Sequence, residues 1–238
     1  MILLGLTSIR KPNEGFKPVA VIELFTSEGC SSCPPADKLL AKTLTSWQAG
    51  QANVFALAFH VDYWNRLGWR DSFSTSQFSA RQGLYVSEMH LNGAYTPQMI
   101  VNGTTEFVGS DKSALDNAVL KALNTKQQAE FINLTASSNG NSLVVNYGLN
   151  GSFNGCQVHF ALVTLHAVTS VKSGENGGHV LEHTNVVREL LSYPAASSGK
   201  AVFNNCRAYD LRNTGVVAFV QQQNGLHIIA GAMARPGN

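Results

Sequence analysis

Pro18-Val19-Ala20-Val21-Ile22-Glu23-Leu24-Phe25-Thr26-Ser27-Glu28-Gly29-Cys30-Ser31-Ser32-Cys33-Pro34-Pro35 is the stretch whose reading decides the fold. An apolar run long enough for a buried strand passes through a short polar turn into two cysteines three positions apart. Beyond them, Ala36, Leu39, Leu40, Leu44 and Trp47 fall on one helical stripe, so a helix is expected from Pro35 to Trp47. Two thiols between a strand and a helix can close a small disulfide ring. The N-terminal end of a helix dipole favours a thiolate there. In a dithiol of this kind Cys30 suits the exposed attacking sulfur and Cys33 the resolving one. Gly29 lets the chain turn sharply before them.

Working outward, Asn53 to Val61 is a near-continuous apolar run, as a central parallel strand covered on both faces requires. Ser72 to Gln82 reads as a polar, weakly helical insertion. Gln98-Met99-Ile100-Val101 and Thr105-Glu106-Phe107-Val108 flank Asn102-Gly103, a hairpin signal. A capped helix is expected from Ser110, with Leu115, Ala118, Val119, Ala122 and Leu123 on one stripe. This order predicts an α/β thioredoxin-like N-terminal domain over residues 15–127, a mixed central sheet flanked by helices with an insertion at about 63–95.

Near residue 128 the composition turns to Asn, Gly, Ser and Val in short alternating runs: Glu130–Ala136, Ser142–Leu149, Gln157–Val168, Gly215–Gln221 and His227–Ala232. Only Val186 to Leu191 hints at a helix. The pattern predicts a second, all-β sandwich-like domain over residues 128–238.

With 44% hydrophobic and 13% charged residues and a net charge of +2, the 238-residue chain should fold, but it carries no basic stripe for nucleic acid. Met1–Leu6 is apolar yet far too short to span a bilayer, so no membrane span is expected. It is either the stub of a leader or a strand of the fold. Cys156 and Cys206 are a possible structural disulfide, the alternative being two unrelated buried thiols.

A second element faces the dithiol in a thioredoxin-type arrangement. Tyr95-Thr96-Pro97-Gln98 precedes the hairpin, and a proline in that place can adopt the cis form. Thr96 and Pro97 are therefore candidate substrate-binding residues. Glu23, inside an apolar strand, is a candidate proton carrier for Cys33; its alternative is a face that simply sees water. His60 and Asp62 close the central strand at its carboxyl end, where open α/β sheets bind ligands. With Tyr63 and Trp64 they are candidates to wall the dithiol or bind a substrate, with His60, Asp62 and Trp64 as the substrate-binding residues; the alternative is an ordinary strand-to-loop junction.

Gly174-Glu175-Asn176-Gly177-Gly178-His179 lacks the spacing of a phosphate loop and reads as a tight β-connection. His179 and His183 are four apart, a metal spacing on a helix but not on an extended segment, and no metal or other cofactor is assigned. Asn185 and Arg188 are read as tying this segment to the first domain or to a carboxylate, an interdomain role being favoured over catalysis.

Val21 through Asp37 resembles the signature of a thioredoxin-like family of unknown function, DUF1223, whose bacterial members are predicted secreted proteins. The resemblance continues through His60-Val61-Asp62-Tyr63-Trp64-Asn65, Gly68-Trp69-Arg70-Asp71, Ser79-Ala80-Arg81-Gln82 and Tyr95-Thr96-Pro97-Gln98. It resumes at Gly174 to Gly178 and Asn185-Val186-Val187-Arg188. It implies a thioredoxin-like domain joined to a β-rich one, with Cys30 and Cys33 as the redox pair and no assigned substrate. It also implies a periplasmic or secreted protein, its leader truncated or absent, with a cytoplasmic location left open. The expected function is thiol–disulfide exchange with a protein or small-molecule partner. A non-catalytic envelope or extracellular binding module and a Cu(I)-handling protein using Cys30, Cys33 and His60 are the alternatives.

Overall fold

The computed structural model describes residues 16–237, so Met1–Leu6 lies outside the described residues. An eight-stranded mixed sheet runs through the molecule. Its first half contributes β1 (Ala20–Thr26), β2 (Val54–His60), β3 (Gln98–Val101) and β4 (Thr105–Val108). Its second half contributes β7 (Cys156–Ser170), β8 (Val180–Pro194), β10 (Thr214–Gln222) and β11 (Ile228–Ala234). The order is β11-β10-β7-β8-β2-β1-β3-β4. Strands β1 and β2 pair in parallel, β3 is antiparallel to β1, β4 is antiparallel to β3, and β8 joins β2 in parallel at Ala58 and Val186. A four-stranded sheet, β12-β5-β6-β9, is formed by β5 (Ala129–Asn139), β6 (Ser142–Gly151), β9 (Ser198–Phe203) and β12 (Pro236–Gly237).

The observed architecture corrects the expected one. Strands make up 46% of the described residues against 22% helix, in two mixed sheets, so this is neither a thioredoxin fold nor a thioredoxin domain followed by a separate sandwich. The strands of the second half hydrogen-bond onto the edge that β2 would otherwise expose, and a single sheet crosses residue 128. An unpaired edge on so apolar a strand is unfavourable, and β8 covers it.

Three helices and the smaller sheet cover the two faces. Helix α1 (Pro34–Ala49) and α3 (Lys112–Leu123) bury Ala36, Leu40, Leu44, Leu115 and Val119 against Ala20, Ile22 and Leu24 of β1. The alternate residues Val21 and Phe25 face the other way, onto Phe78 and Tyr85 of α2 (Ser76–Glu88). The expected weakly helical insertion is thus a 13-residue helix, capped by Thr75 and carrying part of the core. The smaller sheet packs Leu143, Val145 and Phe203 against Phe160, Leu162, Val216, Ala218 and Val220 of the large one, as the layers of a sandwich do.

Several local expectations hold. Asn102 and Gly103 both adopt positive φ in the β3–β4 turn. A side chain at Gly103 would meet the Leu226 carbonyl, so only glycine fits. Asp111 caps α3 by accepting from the Ala114 N–H. One expectation fails: Val186 to Leu191 lies within β8 and is extended, not helical. Of the two alternatives for Cys156 and Cys206 the structure takes the second, free, buried thiols in the core between the sheets, and the possible structural disulfide is not formed.

Candidate functional site

Cys30 and Cys33 are joined in a disulfide. Cys33 sits immediately before α1, its carbonyl accepting the N–H groups of Ala36 and Asp37. Pro34 and Pro35 open the helix without N–H groups of their own, which suits the first turn. They also leave fewer free donors for a thiolate than the sequence suggests. Cys30 Sγ instead has Ser32 Oγ at 3.4 Å.

The expectation of an exposed Cys30 is corrected: both cysteines are 0% exposed, while Ser31 and Ser32 between them face solvent. The connection between β7 and β8, residues 171–179, lies over the dithiol loop. Asn176 Nδ2 donates to the carbonyls of Glu28 and Cys30, both at 2.9 Å. Ser31 N–H donates to Glu175 Oε2 at 2.9 Å, and Ser173 Oγ donates to the Gly68 carbonyl. The glycine-rich segment is therefore the tight β-connection its composition predicts, placed across the disulfide.

The other site candidates divide. Thr96-Pro97 is a cis peptide, and Pro97 reaches the start of α1 through Gly109, whose missing side chain would meet both Pro97 and Ala36. Trp64 packs on Gly29 and donates from Nε1 to Thr96 Oγ1 at 2.8 Å, linking the dithiol loop to the Thr96-Pro97 loop. Asp62 is held by Ser79, whose hydroxyl donates to Oδ1. Glu23 is not brought to the dithiol. It points to the α2 face and forms a bidentate ion pair with Arg81, with Nε–Oε2 at 2.5 Å and Nη2–Oε1 at 2.9 Å, and accepts from the Tyr85 hydroxyl. It is fully buried, so neither the proton carrier beside Cys33 nor the water-facing carboxylate describes its surroundings.

His60 is also fully buried and belongs to a polar cluster that sequence reasoning missed. Its Nδ1 lies 2.6 Å from Asp71 Oδ2, which also accepts from Glu28 N–H. Burial alone would raise the Asp71 carboxyl, but the neighbouring His60 and the backbone N–H groups of Glu28 and Phe73 outweigh it and hold Asp71 low. The His183 ring centroid is 4.7 Å from that of His60. His183 Nδ1 lies 3.3 Å from Asp37 Oδ1, and Nε2 is 3.6 Å from Glu28 Oε1, beyond hydrogen-bond reach. Burial would lower His183, but Asp37 and Glu28 outweigh it and push it up to about 9. Among the described residues, His60 Nε2, His183 Nε2 and Glu28 Oε1 are buried with no hydrogen-bond partner. Each such atom costs on the order of 1–3 kcal/mol. The helical spacing of Cys33 and Asp37 is a signal for one member of the cluster; nothing local in the sequence joins His183 to His60.

Residues 21–221 match a family described as a protein of unknown function, DUF1223. The crystal structure of protein AGR_C_4864 from Agrobacterium tumefaciens is similar, with 28% identity and a TM-score of 0.69 over 94% of this chain and 96% of that one. HBP35 of Porphyromonas gingivalis shares the fold, with 19% identity and a TM-score of 0.68 over 94% of this chain and 78% of that one. No curated protein matches the chain. No helix among the described residues is long and apolar enough to cross a membrane.

Proposed function

We propose that this chain, which belongs to the DUF1223 family, is a thiol–disulfide oxidoreductase acting through Cys30 and Cys33 on a protein or small-molecule thiol. The observation that carries this reading is the disulfide closed immediately before α1. A substrate thiolate attacks Cys30 Sγ, the Cys30–Cys33 bond breaks, and Cys33 leaves as a thiolate. A second substrate thiolate then attacks the substrate sulfur of the mixed disulfide and releases Cys30. The substrate dithiol loses two electrons and the cysteine pair gains them; the reverse sequence reduces a substrate disulfide. Trp64 and Thr96-Pro97 would form the wall along which the substrate lies, and the 171–179 connection must lift for Cys30 to be reached. A periplasmic or secreted location, where disulfides form and persist, is part of this proposal.

The burial of both sulfurs favours a second reading, a binding module with a permanently closed disulfide. Assaying oxidation of a model dithiol peptide and reduction of insulin separates the two. Activity in either direction that Cys30→Ser abolishes supports exchange. Inactivity in both directions supports the binding module.

A further inference from the structure

We propose that Asp37, His60 and His183 hold a divalent transition-metal ion of the Zn²⁺ class beside the Cys30–Cys33 loop. This goes beyond thiol exchange and does not rest on it. Each of the three residues offers a ligand atom, and those atoms lie within 4.8 Å of one another. All three are buried, at 4%, 0% and 3% exposure. Two imidazoles and a carboxylate form a donor set that suits Zn²⁺ and its neighbours in the first transition row. The hard ions Ca²⁺ and Mg²⁺ prefer oxygen alone.

Three features point to an ion. His60 Nδ1 lies 2.6 Å from Asp71 Oδ2, and its other ring nitrogen, Nε2, is buried with no hydrogen-bond partner. A carboxylate behind a histidine is the arrangement that orients a metal-bound imidazole. His183 Nε2 and Glu28 Oε1 are likewise buried without partners. Finally, Glu28, Asp37 and Asp71 bring three buried carboxyl groups together, and their ion-pair partners among the described residues are histidines, not lysine or arginine. A water molecule would satisfy the unpaired atoms but supply no charge. A cation does both. A cavity of about 430 Å³, lined by Asp37, His183, Ser31 and Asn176, gives an ion a route in from the surface. The i, i+4 spacing of His179 and His183 does not reveal this site, because the partner of His183 is His60, from another strand.

The test is titration of the oxidised, EDTA-treated and desalted full-length protein with Co²⁺, followed by its visible absorption. The expected result is saturation at about one equivalent, with d–d bands and no thiolate-to-cobalt charge transfer. Binding should weaken at least about tenfold in His60→Ala and His183→Ala, and about 10- to 100-fold in Asp71→Asn. It should survive in the Cys30→Ser/Cys33→Ser double variant. Failure of the unmutated protein to retain Co²⁺ overturns the proposal, whether or not the variants fold. Binding that disappears with the cysteines, or that ignores both histidines, overturns it too. An inert disulfide with intact Co²⁺ binding would sink the exchange reading and leave this one standing.

Discussion

His159 shows how a single buried base ties stability to pH. Its ring stacks on Phe219 with centroids 4.8 Å apart, and Nδ1 lies 2.7 Å from Ser192 Oγ. Burial, and secondarily the Arg81 cation, lowers it well below 6.5. The folded protein therefore keeps His159 neutral where the unfolded chain takes up a proton. As pH falls below about 6.5, its contribution favours unfolding by up to about 1.4 kcal/mol per pH unit, until the folded value is reached. Urea titrations between pH 7 and 5 should show a smaller loss of stability in His159→Asn than in the unmutated protein. Equal losses would contradict this account. None of this is visible in the sequence, where His159 is one polar residue in an apolar run. The Cys30–Cys33 pair is legible because its chemistry is local to four residues.

At the scale of elements, α2 is fastened to the sheet by Arg81. Its guanidinium lies 5.2–5.5 Å from the rings of Phe59, Tyr85 and Phe219 and pairs with Glu23 of β1. Removing only one partner leaves a buried charge, so Arg81→Met should lower stability by about 3–5 kcal/mol. Adding Glu23→Leu should restore much of it. Denaturant midpoints of the single and double variants check this; a double variant less stable than the single one would contradict it. The 171–179 connection is a separate device. Asn176→Ala removes two hydrogen bonds to the dithiol loop, worth about 1–2 kcal/mol together. Dithiothreitol should then reduce Cys30–Cys33 about 5- to 30-fold faster if lifting this connection limits access, and an unchanged rate would show that it does not. Helix α3 is legible from its cap and stripe. Strand β8 is not, because a register shift opposite Leu162 and Val163 sets Arg188 outside the ladder. That bulge puts Val187 and Leu190 in the same core three positions apart, a helix-like spacing.

Across the whole molecule, the halves that the sequence separates at residue 128 share one sheet. Short alternating runs reveal that strands exist but not which edge they join, since the pairing partner is distant in sequence. Strand β2 is legible as a central strand because burial on both faces makes its apolar run continuous; its neighbour β8 is hidden. The core of Phe25, Phe59, Val163, Val187 and Phe219 crosses the seam, and Asn185 Nδ2 donates to the Ala56 carbonyl beside it. Thermal unfolding should therefore be a single transition by calorimetry, with calorimetric and van't Hoff enthalpies in agreement. Two resolved transitions would mean that the shared sheet does not couple the halves.

The central claim is that Cys30 and Cys33 exchange electrons with thiols. It is tested most directly by the reduction potential of the pair, measured by equilibration against thiol–disulfide buffers and trapping of free thiols. The account predicts a two-electron couple within the range of exchange enzymes, about −270 to −120 mV. A pair that stays closed below about −300 mV, as structural disulfides do, would contradict it.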